Sequence, residues 1–264
     1  MPNLLAVDIG NTNISVGLFK DDTLINSGKI PTVIDKGIEN YAGVLKEIVK
    51  EHPDAIIISS VVPSATDKLK IVLKSLFNVS LLVVGEDIDP KVKNLYDAKT
   101  RVGTDRLVNA AAAIYLYGYP VIIIDFGTAI TVDIISEKGE FIGGIIMAGI
   151  RMSLNGLSSA TAFLPHISDI TPPDNLIGTD TISCMKSGIF YGTSSMIDGL
   201  VGKIRERFGS TKGMCSATIP AIATGGDAEV IYPYCKAIDK VNINLTLEGL
   251  RIIFYNMGHP PLEE

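Results

Sequence analysis

Two acidic glycine turns constrain this sequence more than any other feature. Asp8-Ile9-Gly10-Asn11-Thr12 ends one short apolar run, and Asp125-Phe126-Gly127-Thr128 ends another. Each is followed by a second apolar run and then a polar turn, Asp21-Asp22 in the first case and Lys138-Gly139 in the second. One Asp-x-Gly turn is an ordinary link between strands. Two of them at matching places in a repeated order predict a duplicated α/β unit with a cleft between the copies. The repeat puts the boundary near Gly118, giving halves of residues 1–118 and 119–264.

The hydrophobic patterning supports the repeat. Residues 3–7, 13–20 and 23–30 read as three hairpin-linked strands, with Ile14, Val16 and Leu18 on one face of the second. Ile38, Tyr41, Ala42, Leu45, Ile48 and Val49 recur at helical spacing, as do Leu69, Val72, Leu73, Leu76 and Phe77. Strands are predicted at 55–59 and 81–84, and an Ala-rich helix opens at Thr104-Asp105-Arg106. The second half begins the same way, with strands at 120–124, 130–136 and 140–146. Long helical patterns cover 181–207 and 247–257, and a strand at 221–223 runs into Thr224-Gly225-Gly226.

Composition removes several classes of function. The chain has 264 residues, 47% hydrophobic and 20% charged, which is the balance of a folded globular protein. Its net charge of -6, with no strongly basic stretch, argues against nonspecific binding to nucleic acid or an anionic membrane. No apolar run reaches the roughly 20 residues that cross a bilayer; the best, 121–135, is broken by Asp125 and Asp133. The N-terminus has no basic segment and no long apolar core, so it does not read as a signal peptide. Cys184, Cys215 and Cys235 form no CxxC pair, which suits free thiols in a reducing cytoplasm. His52, His166 and His259 are scattered, so no structural zinc site is expected.

The glycine turns point to phosphate chemistry. Glycine lets backbone amides approach an anion, and successive amides form a nest for it. Thr12 and Thr128 add hydroxyl donors, and each aspartate can hold a cation or its waters to offset phosphate charge. Thr224-Gly225-Gly226-Asp227 is either a plain turn or a contact for a nucleotide's base or ribose. The chain has neither a Walker A pattern nor a GxGxxG after its first strand, which disfavours P-loop and dinucleotide folds. Asp105 has two readings. At a helix start it can serve as a cap, or it can orient an alcohol for phosphoryl transfer and take its proton. Arg106 can hold a substrate carboxylate with paired donors. Gly143, Gly144 and Gly149 fit helix–sheet packing as well as substrate approach. Leu157, Ala162, Phe163 and Leu164 read as core or interface, and Lys203, Arg205, Glu206 and Arg207 as a solvated helix face.

Taken in order, Asp8-Ile9-Gly10-Asn11-Thr12, Gly103-Thr104-Asp105-Arg106, Asp125-Phe126-Gly127-Thr128-Ala129, Gly139-Glu140-Phe141-Ile142-Gly143-Gly144 and Ala223-Thr224-Gly225-Gly226 resemble the motifs of type III pantothenate kinases over nearly the whole chain. The Asp-x-Gly-Thr element alone belongs to the wider superfamily of acetate and sugar kinases, Hsp70 and actin. The resemblance implies paired ribonuclease-H-like domains with mixed sheets. It implies ATP-dependent phosphorylation of pantothenate, the first step of coenzyme A synthesis, in a cytoplasmic homodimer with the pantothenate site near the dimer interface. It implies that Asp8, Ile9, Gly10, Asn11, Thr12, Asn13, Ile14 and Ser15, together with Thr128, bind ATP. Asp105 becomes the proton acceptor, and Tyr96, Gly103, Thr104, Asp105, Arg106 and Thr181 line the pantothenate site. Asp125 holds a monovalent cation, K+ or NH4+, beside the Mg2+ that the family also needs. Two departures from the family pattern, Lys99 where a proline is usual and Ala148-Gly149 where Pro-Gly is usual, bear on the pantothenate pocket and not on the acidic residues.

Two other readings stay open at this level. One is a kinase of the same superfamily with another small acceptor. The other is a non-catalytic accessory factor in transcription, against which the retained Asp8, Asp105 and Asp125 argue.

Overall fold

A computed structural model describes residues 2–32, 39–97, 101–209 and 219–256; Lys99, Cys215 and His259 lie outside the described residues. The chain begins with β1 (Leu4–Ile9), β2 (Asn13–Lys20) and β3 (Thr23–Pro31), then α1 (Glu39–Ile48), β4 (Ala55–Ser60), α2 (Pro63–Phe77), β5 (Ser80–Val83) and α3 (Thr104–Tyr117). The same order of strands then repeats as β6 (Val121–Phe126), β7 (Ala129–Ile135) and β8 (Phe141–Ala148), followed by α4 (Ile150–Ala160), α5 (Thr181–Gly209), β9 (Ala221–Thr224), α6 (Ala228–Ile231), β10 (Lys240–Val241) and α7 (Leu245–Tyr255).

The two five-stranded sheets have orders β3-β2-β1-β4-β5 and β10-β9-β6-β7-β8. Read from the equivalent edge they are one topology twice, with β6 to β10 in the places of β1 to β5. In each, the first strand pairs antiparallel with the second and parallel with the fourth, so both sheets are mixed. The central strands β1 and β4 are covered on both faces, which is why they are continuous apolar runs and not alternating ones.

Packing divides the described chain into two units. The first runs to Leu116 and takes in α7; the second is Tyr117–Asn244. The boundary expected after Gly118 therefore falls at Tyr117, and the C-terminal helix, expected with the second half, packs with the first. Leu247, Leu250 and Ile253 of α7 join Leu4, Ala6, Ala55, Ile57 and Val108 in a core on one face of the first sheet. The opposite face carries Leu5, Val7, Val16 and Ile58 against Leu45 of α1 and Leu69 and Leu73 of α2. In the second unit Ile122, Ile124, Phe126 and Val132 meet Leu154 of α4 and Ile189, Phe190 and Ile197 of α5.

Two expectations change. Arg205 does not lie on a solvated face: its Nε donates to the Ile219 carbonyl (3.1 Å), and its guanidinium pairs with Asp239 (2.7 Å). Phe163 is not core, being 94% exposed, whereas Leu164 packs on the core of the second unit. No helix among the described residues is long and apolar enough to cross a membrane. Cys184 and Cys235 are free thiols.

Candidate active site

The first glycine turn is held at its base and from the side. Asp8 is the penultimate residue of β1, facing Ser15 across the antiparallel pair and Ser59 across the parallel one. Beyond it the Gly10 amide donates to the Asn13 carbonyl (3.0 Å), closing a tight turn whose tip, Asn11 to Asn13, is exposed. Thr32, just past β3, clamps this turn: its hydroxyl donates to the Gly10 carbonyl (2.8 Å) and its amide to the Thr12 carbonyl (2.9 Å). The loop is thus preorganised by a residue that local sequence reading did not single out.

Along the same edge of the first sheet, β4 ends in Ser59 and Ser60. Leu4, Ala6 and Asp8 of β1 alternate onto the face that Ala55, Ile57 and Ser59 of β4 share, the face covered by α3 and α7. Ser59 is fully buried. Its hydroxyl donates to Thr104 Oγ1 (3.3 Å), and Thr104 Oγ1 donates to the Ser60 carbonyl (2.8 Å). Ser60 Oγ accepts the Val62 amide (3.0 Å) and lies 2.6 Å from Thr66 Oγ1. The end of β4 therefore ties down the starts of both α2 and α3.

Asp105 follows immediately. It is half-buried in the first turn of α3, and Oδ1 accepts the Arg106 amide (2.8 Å). A helix cap would take the amide two or three residues on, so this contact orients the carboxylate and does not cap the helix. Gly103 makes room for it, since a Cβ there would stand 2.4 Å from Asp105 Oδ1. Burial pushes the Asp105 carboxyl above the ordinary carboxylate range, against the smaller opposing pull of the Arg106 amide and guanidinium. Arg106 is only 8% exposed and its guanidinium lies over the Tyr96 ring at 6.0 Å. The structure thus brings Tyr96, Gly103, Thr104, Asp105 and Arg106 together in the first unit, beside the strand that carries Asp8.

In the second unit Asp125 occupies the place of Asp8, penultimate in β6 and facing Thr131 and Thr224. Gly127 closes its turn onto the Ala129 carbonyl (3.2 Å). Gly225 lies directly against this turn. It has φ +96, and a Cβ there would fall 2.4 Å from Asp125 Oδ1 and 2.6 Å from the Phe126 backbone. The Thr224-Gly225-Gly226 sequence is thus a turn whose glycine is demanded by contact with the acidic strand end. Gly149 is likewise packed on the backbone of Gly127 and Thr128, and its amide donates to the Thr128 carbonyl (3.1 Å). Thr128 is exposed at the turn's tip.

Thr181 also lies in the second unit, exposed at the first residue of α5. Asp180 and Ser183 cap that helix reciprocally: the Ser183 amide donates to Asp180 Oδ1 (3.0 Å), and the Thr179 and Asp180 amides donate to Ser183 Oγ (3.0 and 3.1 Å). The Ser183 amide, and after it the Ser183 hydroxyl donating to Asp180 Oδ2 (2.7 Å), hold the Asp180 carboxyl below its ordinary range. Thr181 is thereby fixed in place by its neighbours.

A twice-repeated mixed α/β unit, with an aspartate and a glycine turn ending the central strand of each copy, defines the class of actin, Hsp70 and the sugar kinases. The chain is similar to a ROK hexokinase from Thermus thermophilus, with 13% identity, a TM-score of 0.50, and coverage of 98% of this chain and 100% of that one. It is similar in the same way to a protein described as a Baf family transcriptional activator from Campylobacter jejuni, with 20% identity, a TM-score of 0.58, and coverage of 96% and 98%. At these identities the likeness is one of fold. The sequence is more particular: the profile of the type III pantothenate kinases matches residues 4–203. A type III pantothenate kinase from Halalkalibacterium halodurans is 38% identical over 257 residues, 95% of this chain and 98% of the relative. The chain belongs to the type III pantothenate kinase family.

Proposed function

We propose that this chain transfers the terminal phosphoryl group of ATP to the terminal hydroxyl of pantothenate, the opening step of coenzyme A synthesis. The observation that carries the reading is the seating of Gly103-Thr104-Asp105-Arg106 at the head of α3, tied to the strand beside Asp8, in a member of the family that aligns with its relative over 95% of this chain.

Phosphoryl transfer passes through a loose transition state, so the protein's work is chiefly positioning and charge compensation. Asp8 to Ser15 and Thr128 contact ATP, the clamped Gly10 turn presenting its backbone to the phosphates. Tyr96, Gly103, Thr104, Arg106 and Thr181 hold pantothenate, with the Arg106 guanidinium suited to its carboxylate. Asp105 receives the hydroxyl proton. Its burial supports this role, because a carboxylate that is poorly solvated accepts a proton more readily.

Asp125 is the residue proposed for the monovalent cation. The fit is chemical: a half-buried carboxylate at a strand end, with Oδ1 against the Gly225 turn, is a hard oxygen donor in a confined setting. A cation bound there supplies fixed positive charge against the phosphates, and Mg2+ arrives with ATP. We further assign the exposed stripe Gly188, Gly192, Met196 and Gly199 on α5 as the face of a homodimer. The three glycines would let two helices approach closely, with the exposed Met196 between them as the apolar contact. The proposed location is the cytoplasm, where ATP and magnesium are available.

The test is ADP release with magnesium, with and without pantothenate, in potassium and in sodium. Release that requires pantothenate and rises in potassium is expected. ATP turnover driven only by a different small alcohol would reassign the acceptor, and no turnover with any acceptor would return the chain to a binding module.

A further inference from the structure

Ser59, at the end of β4, is among neither the ATP nor the pantothenate contacts proposed above, yet it is hydrogen-bonded to one of them, Thr104. Ser59 is wholly buried on the α3 face of the sheet, in register with Asp8 on β1. It donates to Thr104 Oγ1 at 3.3 Å, which in turn donates to the Ser60 carbonyl at 2.8 Å. Both hydroxyls are therefore oriented by the bonds they donate. The Thr104 methyl lies against Gly85, where an added Cβ would stand 3.2 Å from it. The next residue in the chain is Asp105, in the same first turn of α3.

We propose that Ser59 is a positioning residue for phosphoryl transfer: through Thr104 it fixes the first turn of α3 against the strand carrying Asp8, and so sets where the Asp105 carboxylate meets the acceptor hydroxyl. Ser59 contacts neither substrate in this scheme. The inference rests on the reading of Asp105 as proton acceptor. Misplacing a reacting group by about 1 Å can lower turnover on the order of a hundredfold, so a buried hydroxyl that holds the turn has a kinetic consequence out of proportion to one hydrogen bond.

The experiment is a double-mutant cycle on the full chain, using Ser59→Ala, Thr104→Val and the pair, with Asp105→Asn as reference. Turnover, KM for ATP and pantothenate, and melting temperature are read for each. Ser59→Ala is expected to lower kcat about tenfold with KM for ATP within about twofold. The pair should be no slower than Thr104→Val alone, because Ser59 acts through Thr104. Unchanged kcat in Ser59→Ala, effects that multiply in the pair, or a loss explained by a matching fall in melting temperature would each overturn the proposal. Near-normal turnover in Asp105→Asn would remove its basis, whereas an inactive Asp105→Asn beside an unaffected Ser59→Ala would leave the acceptor standing and discard only the relay.

Discussion

Asp8 and Asp125 are equivalent residues in two copies of one sheet. Each is the penultimate residue of the central strand, and each faces a hydroxyl residue on both neighbouring strands, Ser15 and Ser59 for Asp8, Thr131 and Thr224 for Asp125. The copies differ in the turn that follows. Ile9 and Ile14 flank the first turn, whereas Phe126 and Ile130 flank the second, which is one residue shorter. Duplication thus supplied two anionic strand ends, and the loops beyond them diverged.

That divergence gives the two aspartates separable roles. Asp125→Asn keeps the shape of the side chain and removes its charge. We expect the variant to fold normally and to lose most of the activation by potassium over sodium. Potassium should also raise the melting temperature of the parent and not of the variant, which reads binding without turnover. Equal potassium effects in both proteins would remove Asp125 as the ligand.

Gly225 tests how closely the second turn is built. An alanine there would need φ near +96 and would place its Cβ 2.4 Å from Asp125 Oδ1 and 2.6 Å from the Phe126 backbone. Backbone cannot yield as a flexible side chain does. Gly225→Ala is expected to lose about 2–4 kcal/mol in denaturant unfolding, and to blunt the potassium effect because Asp125 must shift. A midpoint within error of the parent would show that the turn relaxes freely.

Much of this arrangement was legible in the sequence, and the parts that were not share a cause. β1, β2, β6 and β7 announce themselves through apolar runs and acidic turns, and the repeat is visible because both copies keep the same punctuation. α4 was not expected: Ser153, Asn155, Gly156, Ser158 and Ser159 are weak helix formers, and only Ile150 and Leu154 are buried. Arg205 looked solvated because its partner, Asp239, lies on the far side of a strand in sequence. The Thr32 clamp and the Ser59–Thr104 pair escaped for the same reason. Each joins residues far apart in the chain, and nothing local in a threonine or serine announces such a bond. The return of α7 to the first unit is equally non-local, decided by Leu247 and Leu250 finding a sheet face to cover.

The α5 stripe makes a prediction about assembly. Gly188, Gly192 and Gly199 have open space where a Cβ would stand, so larger side chains cause no clash within one chain. Gly192→Arg should therefore leave the fold and melting curve of a protomer intact while halving the mass seen in sedimentation. A parent that sediments as a single protomer would remove the proposed dimer, and a dimeric parent whose mass the variant keeps would place the contact elsewhere.

Asp105 also has a consequence for stability. Burial raises its folded pKa above that of the unfolded chain, so the folded state holds the proton more tightly. The stability this contributes is present below the unfolded pKa and is lost as pH rises through the folded pKa. Asp105→Asn removes the ionisation while an amide oxygen can still accept the Arg106 amide. The variant should gain stability relative to the parent as pH is raised from about 4 to 7. A difference independent of pH would mean that the carboxyl is well solvated in the folded protein.

The same substitution decides whether Asp105 acts in transfer or only shapes the head of α3. The two roles make different demands. Orienting the turn needs an oxygen that accepts the neighbouring amide at 2.8 Å, and asparagine supplies one. Receiving a proton needs the ionised carboxylate, and asparagine cannot take it. Asp105→Asn should therefore fold, bind ATP normally and lose on the order of a hundredfold or more in kcat. Pantothenate binding should weaken only modestly, because the acceptor hydroxyl keeps its other partners. Turnover and a melting curve on one preparation separate the cases. Near-normal turnover would leave the carboxylate with no part in proton transfer. Lost activity in a protein that melts far below the parent would assign Asp105 to structure, since the loss would then follow the fold and not the missing base.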